Sequence, residues 1–163
     1  MTDRIALTLM LLLAAAASAS AAGAPARETP EAKWQKECGD CHIAYPPRFL
    51  GAADWDRLMD RLDRHFGDNA SLDPATRSEI AAYLKRHAGT GTRHSAATLR
   101  ITDTPWFGRE HHELSRDAWT NPAVKRASNC TACHVDASRG DWSERGVILP
   151  PGIRTEEDED DED

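Results

Sequence analysis

Several things are scarce in this chain of 163 residues. Of its three methionines, two lie within the first ten residues, which leaves Met59 alone in the body. No cysteine lies outside two short stretches, so no further pair is available for a disulfide framework. Beyond the N-terminal stretch no segment is apolar enough to cross a membrane. No convincing strand alternation occurs, which leaves a largely helical chain with long loops. There is no basic excess. The formal charge of −7 comes from the last eight residues, Glu156 to Asp163, all acidic. Without them 19 acidic residues face 20 basic ones, so nothing points to nucleic acid as a partner. Large apolar side chains are also few, with five Trp, three Phe and two Tyr. A chain so poor in core-forming residues needs something else to fill its interior.

What is present explains part of this. The stretches Cys38-Gly39-Asp40-Cys41-His42 and Cys130-Thr131-Ala132-Cys133-His134 are both C-x-x-C-H, the attachment signature of c-type haem. In that chemistry Cys38, Cys41, Cys130 and Cys133 form thioethers to the porphyrin, and His42 and His134 bind iron. Two disulfides are the bland alternative in an exported chain, but they give no reason for the histidine in both copies. A shared zinc site is disfavoured because the pairs stand 92 residues apart and each carries its own histidine. Two covalently bound haem c groups are the expected cofactors. They would form much of the core, and the haem-free chain would fold poorly.

The N-terminus reads Met1-Thr2-Asp3-Arg4, an apolar run to Ala17, then small residues to Ala24. This is the order of a secretory signal peptide, expected over 1–22 with cleavage between Ala19 and Ala24. It implies export to the periplasm and no stable membrane insertion afterwards. A first haem domain is expected over 29–89, a second over 101–154, and a disordered acidic tail over 155–163. Thr29-Pro30 predicts a capped helix into Cys38. Asn121-Pro122 stands in the same register before Cys130, which predicts a matching lead-in helix. Asp54 is expected to cap a helix reaching Phe66, with Trp55, Leu58, Leu62 and His65 on one face. Asp73-Pro74 opens another helix, with Ile80, Tyr83 and Leu84 inward and an end near Gly89. Residues 89–100 are small and polar and read as the boundary between halves. Thr104-Pro105 begins a short helix with Trp106, Phe107 and His111. Residues 136–152, with Trp142 and Val147-Ile148-Leu149-Pro150-Pro151, read as an irregular strap.

Each motif histidine supplies one axial ligand, and the other axial position sets the chemistry. Five histidines and Met59 remain. His65 and His111 share faces with apolar neighbours and are the expected second ligands, at the first and second haem respectively. Met59 reads as packing. His87 suits a helix C-terminus, and His112 and His94 are expected to face solvent. Because His65 follows its motif and His111 precedes its own, the two pockets are built differently. Two potentials, both low, are expected.

The order of these residues resembles the small soluble dihaem cytochrome c family of bacteria. The likeness lies in Cys38 through Pro47, in His65-Phe66-Gly67-Asp68-Asn69-Ala70-Ser71-Leu72-Asp73, in Ile101 through Phe107, in His111, and in Asn129 through His134. The resemblance implies a mainly α fold, with a class I cytochrome c-like N-terminal domain and a smaller, less regular C-terminal one. It places distal histidines at His65 and His111. It implies electron delivery to a small oxygen-binding cytochrome c and often a membrane cytochrome b as partner. The expected molecule is therefore a monomeric electron carrier and not an enzyme. The competing classes are a haem-based redox or gas sensor and a dihaem peroxidase, each needing a releasable distal histidine.

Overall fold

The computed structural model describes residues 27–155. The expected signal peptide and the tail beyond Thr155 lie outside the described residues. Four α-helices are joined by loops and short 3-10 turns, and among the described residues there is no β-strand, only isolated bridges.

The first half is a three-helix unit. Helix α1 spans Pro30–Gly39. Thr29 caps it, its hydroxyl accepting from Ala32 N, and Pro30 occupies the first turn, where its missing N–H costs nothing. Helix α2 spans Ala52–Met59 and helix α3 spans Pro74–Arg86. Asp73 caps α3 by accepting from Ala75 N and Thr76 N. The helices enclose one core of Trp34, Leu50, Trp55, Met59, Leu62, Ile80 and Leu84. Leu50, Ile80 and Leu84 are fully buried within it. Glu79 on α3 ties down the start of α1 by accepting from Lys33 Nζ at 2.7 Å and Arg27 at 2.9 Å.

Two sequence expectations fail in this half. The helix after Gly51 does not reach Phe66 but stops at Met59. Leu62 O, which would accept from Phe66 N in that helix, accepts from Ala70 N at 2.8 Å, and Arg61 N and Arg64 N close tighter turns on Leu58 O and Arg61 O. Asp54 is not the cap. Gly51 holds that position, and Asp54 is buried one turn further in, accepting from Ala96 N at 3.0 Å and from Arg57.

That bond to Ala96 bears on a third expectation. Residues 89–100 are polar in sequence but are strapped to the first half. Gly51 N donates to His94 O at 2.7 Å and Gly89 N to Leu50 O at 2.9 Å. His94, expected to be exposed, is buried at 6% exposure and stacks on Trp106 with centroids 5.5 Å apart. Gly89 permits this approach, because a Cβ there would stand 2.3 Å from Arg48 O and 2.5 Å from His94 Cγ.

The second half has one helix, α4 at Pro105–Glu110, capped by Thr104. The rest is turns. The predicted lead-in helix before Cys130 is absent. Val124 N and Lys125 N both bond to Asn121 O, making one turn, and Lys125 then takes φ +68°, which ends it. Only Val124 in this stretch is buried, so no apolar stripe rewards a longer helix. The repeat suggested by the proline spacing therefore does not extend to structure. The halves meet through aromatic rings: Phe49 stacks on Trp106 at 4.7 Å and meets Trp142 edge-on at 4.9 Å.

Candidate functional site

The two motifs are presented differently. Cys38 is carried on α1, and Cys41 and His42 follow at its end. The second motif forms its own turn, Cys130–Ala132, in which His134 N bonds to Cys130 O at 2.8 Å. Burial pushes the Cys38 thiol up to about 11, with Glu37 adding to it, and burial likewise pushes Cys130 up to about 11. Cys38 packs against the first core. No two of the four cysteines are bonded to each other.

His65 faces His42. It is delivered by a tight hairpin turn in which His65 N donates to Asp68 O at 2.8 Å and Asp68 N returns the bond to His65 O. Both central residues, Phe66 at φ +51° and Gly67 at φ +110°, have the positive φ that such a turn requires. For Phe66 this is a strained conformation, costing about 1–2 kcal/mol. The Arg100 guanidinium sits 4.5 Å over the Phe66 ring and helps to hold it. The ring centroids of His42 and His65 are 6.2 Å apart with planes 24° from parallel.

His111 faces His134. It ends α4 and stacks on Phe107 at 4.1 Å. The His111 and His134 centroids are 6.1 Å apart with planes inclined at 75°. Trp119 meets His111 at 5.8 Å, and Trp142 lies 5.7 Å from His134.

The protonation pattern suits metal binding. His42 Nδ1 donates to Ile43 O at 2.7 Å and His111 Nδ1 to Phe107 O at 2.9 Å. A carbonyl only accepts, so Nδ1 carries the proton and Nε2 keeps its lone pair for iron. Burial, with the neighbouring His42, holds His65 below its ordinary pKa. Burial and His111 do the same to His134. Both rings are thus biased toward the neutral form that binds metal.

Two observations test whether these residues fit a haem. Two metal–nitrogen bonds of about 2 Å, plus the distance from nitrogen to ring centre on each side, give a centroid separation of about 6 Å. Both histidine pairs have that separation. The exposed large apolar side chains also gather at the motifs. Phe66 adjoins His65, Val135 adjoins His134, and Ile148, at 62% exposure, has its N–H on Cys133 O at 2.9 Å, with Leu149 beside it. A flat apolar group at each motif covers surface of that kind. The residues fit.

The other candidates fall away on placement. Met59 is buried in the first core, as its packing assignment required. His87 caps α3 and is exposed, and His112 is exposed. His94 Nε2 accepts from Arg93 Nε at 3.0 Å. Sequence reasoning gave no role to Trp119. Trp119 lies in a separate 3-10 turn, Arg116–Thr120, beyond the end of α4, so no helical periodicity relates it to His111.

Two C-x-x-C-H motifs, each facing a second histidine at an iron-bridging distance, define a c-type cytochrome with two haem sites. The profile of the family described as Dihaem cytochrome c matches residues 34–142, and the chain belongs to that family. Among solved structures it is similar to the diheme cytochrome type c from Shewanella baltica OS155. The two are 39% identical, 77% of this chain and 97% of that chain are covered, and the TM-score is 0.65. Two structures of diheme cytochrome c from Rhodobacter sphaeroides are 42% and 41% identical. Each covers 68% of this chain, with 95% and 94% of their own length and TM-scores of 0.58 and 0.59. No curated protein sequence matches the chain. Two haem c groups are its cofactors, and a dihaem cytochrome c is an electron-transfer haem protein. No helix among the described residues is long and apolar enough to cross a membrane.

Proposed function

We propose that this chain is a periplasmic electron carrier with two six-coordinate haems, one held by His42 and His65 and the other by His134 and His111. The observation that carries this reading is the matched separation of the two ring pairs, 6.2 and 6.1 Å. When bound, the haems supply iron centres that accept and release one electron each. The chain does the rest. Cys38, Cys41, Cys130 and Cys133 tether the cofactors covalently. The Nε2 atoms of His42 and His111 are aimed by the Nδ1 bonds to Ile43 O and Phe107 O. Phe107, Trp119 and Trp142 wall the second pair, and Phe66 and Tyr45 flank the first. With His42, His65, His111 and His134 all holding iron, no position would be left at either haem for a substrate. Nitrogen ligation on both sides favours low potentials over those given by methionine.

The N-terminal segment supports export to the periplasm. A small oxygen-binding cytochrome c as acceptor and a membrane cytochrome b as donor are partners that family resemblance implies. The haem domains are read as 29–89 and 101–154. The test is the visible spectrum of the reduced protein under carbon monoxide. The expected result is slow, partial binding at most, with His65→Ala opening one haem and His111→Ala the other. Rapid, complete binding at one haem of the unmodified protein would overturn the carrier reading in favour of a sensor or peroxidase.

A further inference from the structure

One side chain links the first haem motif to the residue two places before the second. The Tyr45 ring stacks on His42 with centroids 4.8 Å apart and planes 26° from parallel. Its hydroxyl reaches 83 residues along the chain and donates to Ser128 O at 2.6 Å. The same carbonyl lies 3.7 Å from Cys130 Sγ, the sulfur through which the second cofactor is attached. Tyr45 is fixed from behind, because Pro46 and Pro47 are buried and Trp55 Nε1 donates to Pro47 O at 2.7 Å. The ring therefore stands between an iron ligand of one site and an attachment residue of the other, in a loop that does not flex independently of the first core. Other contacts between the halves, Phe49 with Trp106 and Trp142 and His94 with Trp106, involve no residue of the first motif.

We propose that Tyr45 is a positioning residue for electron exchange between the two haem sites, its ring packed on His42 and its hydroxyl bonded to the Ser128 carbonyl beside Cys130. This rests on His42 being an iron ligand, as read above. In each exchange one electron leaves the reduced iron and one arrives at the oxidised iron. Tyr45 is neither oxidised nor deprotonated and no bond is made or broken. Its hydroxyl bond holds the second motif at a fixed distance from the first ligand ring and supplies a short bonded route between them. Without that bond the motifs are joined through the contacts of Phe49 and His94 with the second half, a longer route.

The test uses the holoprotein and needs no partner. In half-reduced samples, exchange between the paramagnetically shifted haem methyl resonances gives the intramolecular rate by NMR. Tyr45→Phe keeps the ring stack and removes the hydroxyl bond, and Tyr45→Leu removes both. Ser128→Ala keeps the backbone acceptor. The expected result is a several-fold slower exchange in Tyr45→Phe, slower again in Tyr45→Leu, and an unchanged rate in Ser128→Ala. Both haems stay low-spin in all three, which separates a lost route from a disrupted pocket. Wild-type rates in Tyr45→Phe and Tyr45→Leu would overturn the proposal. A rate lost equally in Ser128→Ala would also overturn it, because the side chain and not the carbonyl would then matter. Should His42 not be a ligand, a His42→Ala variant retains two low-spin haems, and that failure is distinguished from failure of the Tyr45 route by spin state alone.

Discussion

Gly67→Ala tests how His65 is put in place. Gly67 sits at φ +110°, and a Cβ added there has nothing within 4 Å to meet. Any cost is therefore conformational and not steric. Holding a non-glycine residue in so sparsely populated a region costs about 1–3 kcal/mol. The turn has only two backbone bonds to resist that, between His65 and Asp68. It also already contains Phe66 at φ +51°. The strain is relieved by opening the turn, and opening it withdraws His65 from His42. If the whole cost falls on that equilibrium, the fraction of time that His65 is released rises roughly 5- to 150-fold. Carbon monoxide binding to the reduced protein, followed by stopped-flow absorbance, should accelerate by that factor at one haem and not at the other. Gly91→Ala is the control. Gly91 is at φ +78°, also with nothing within 4 Å, and it carries a backbone penalty of the same kind away from either ligand pair. It should lower the unfolding midpoint without changing carbon monoxide binding. Equal carbon monoxide kinetics in Gly67→Ala and the unmodified protein would refute the link between this turn and iron ligation.

Other substitutions probe the frame that carries the sites. Gly89→Ala forces a Cβ against Arg48 O, a backbone atom that cannot swing away, and should destabilise the holoprotein by at least about 1–3 kcal/mol in denaturant unfolding. Asp54→Ala leaves the buried Ala96 N–H without its acceptor and frees Arg57, at a cost of about 2–3 kcal/mol in the same measurement. Asp54 also predicts an acid response. Burial raises its pKa, but Arg57, Ser95 and the Ala96 N–H together outweigh that and hold the carboxyl below its ordinary value of 3.8. A depressed folded-state value means that the stabilisation is complete above about pH 4 and fades as pH falls through the folded value. Stability measured from pH 6 downward should therefore drop less steeply in Asp54→Ala.

Much of this molecule could be read from local chemistry. Thr29-Pro30, Asp73-Pro74 and Thr104-Pro105 each name a helix start, because the cap and the proline act within one turn of the chain. Met59 was legible as core from its spacing. The failures occur where long-range bonds compete with local pattern. The apolar spacing from Trp55 to His65 describes a helix, yet the chain leaves it after Met59, and Ala70 takes the Leu62 carbonyl that Phe66 would have used. The sequence placed Asp54 as a cap by its residue type, whereas its partner is Ala96, 42 residues away. Residues 89–100 looked like a free linker because composition cannot show that Gly89 makes room for a buried His94. The proline repeat before Cys130 failed for lack of apolar residues to reward a helix. His65 and His111 were singled out as distal residues, and the structure brings each to its motif histidine, one by a hairpin turn and the other from a helix end.

The difference between the two ring pairs leads to the most direct measurement. In the first, the planes lie 24° from parallel, and in the second they are inclined at 75°. Near-parallel imidazoles act on the same iron orbital and split the pair of π-type orbitals, whereas near-perpendicular ones leave that pair almost degenerate. Low-temperature EPR of the fully oxidised protein should therefore show two low-spin species in equal amount, one rhombic and one with a single large-g feature, and no high-spin iron. A high-spin signal integrating to one iron per chain would contradict ligation by histidine pairs at both haems.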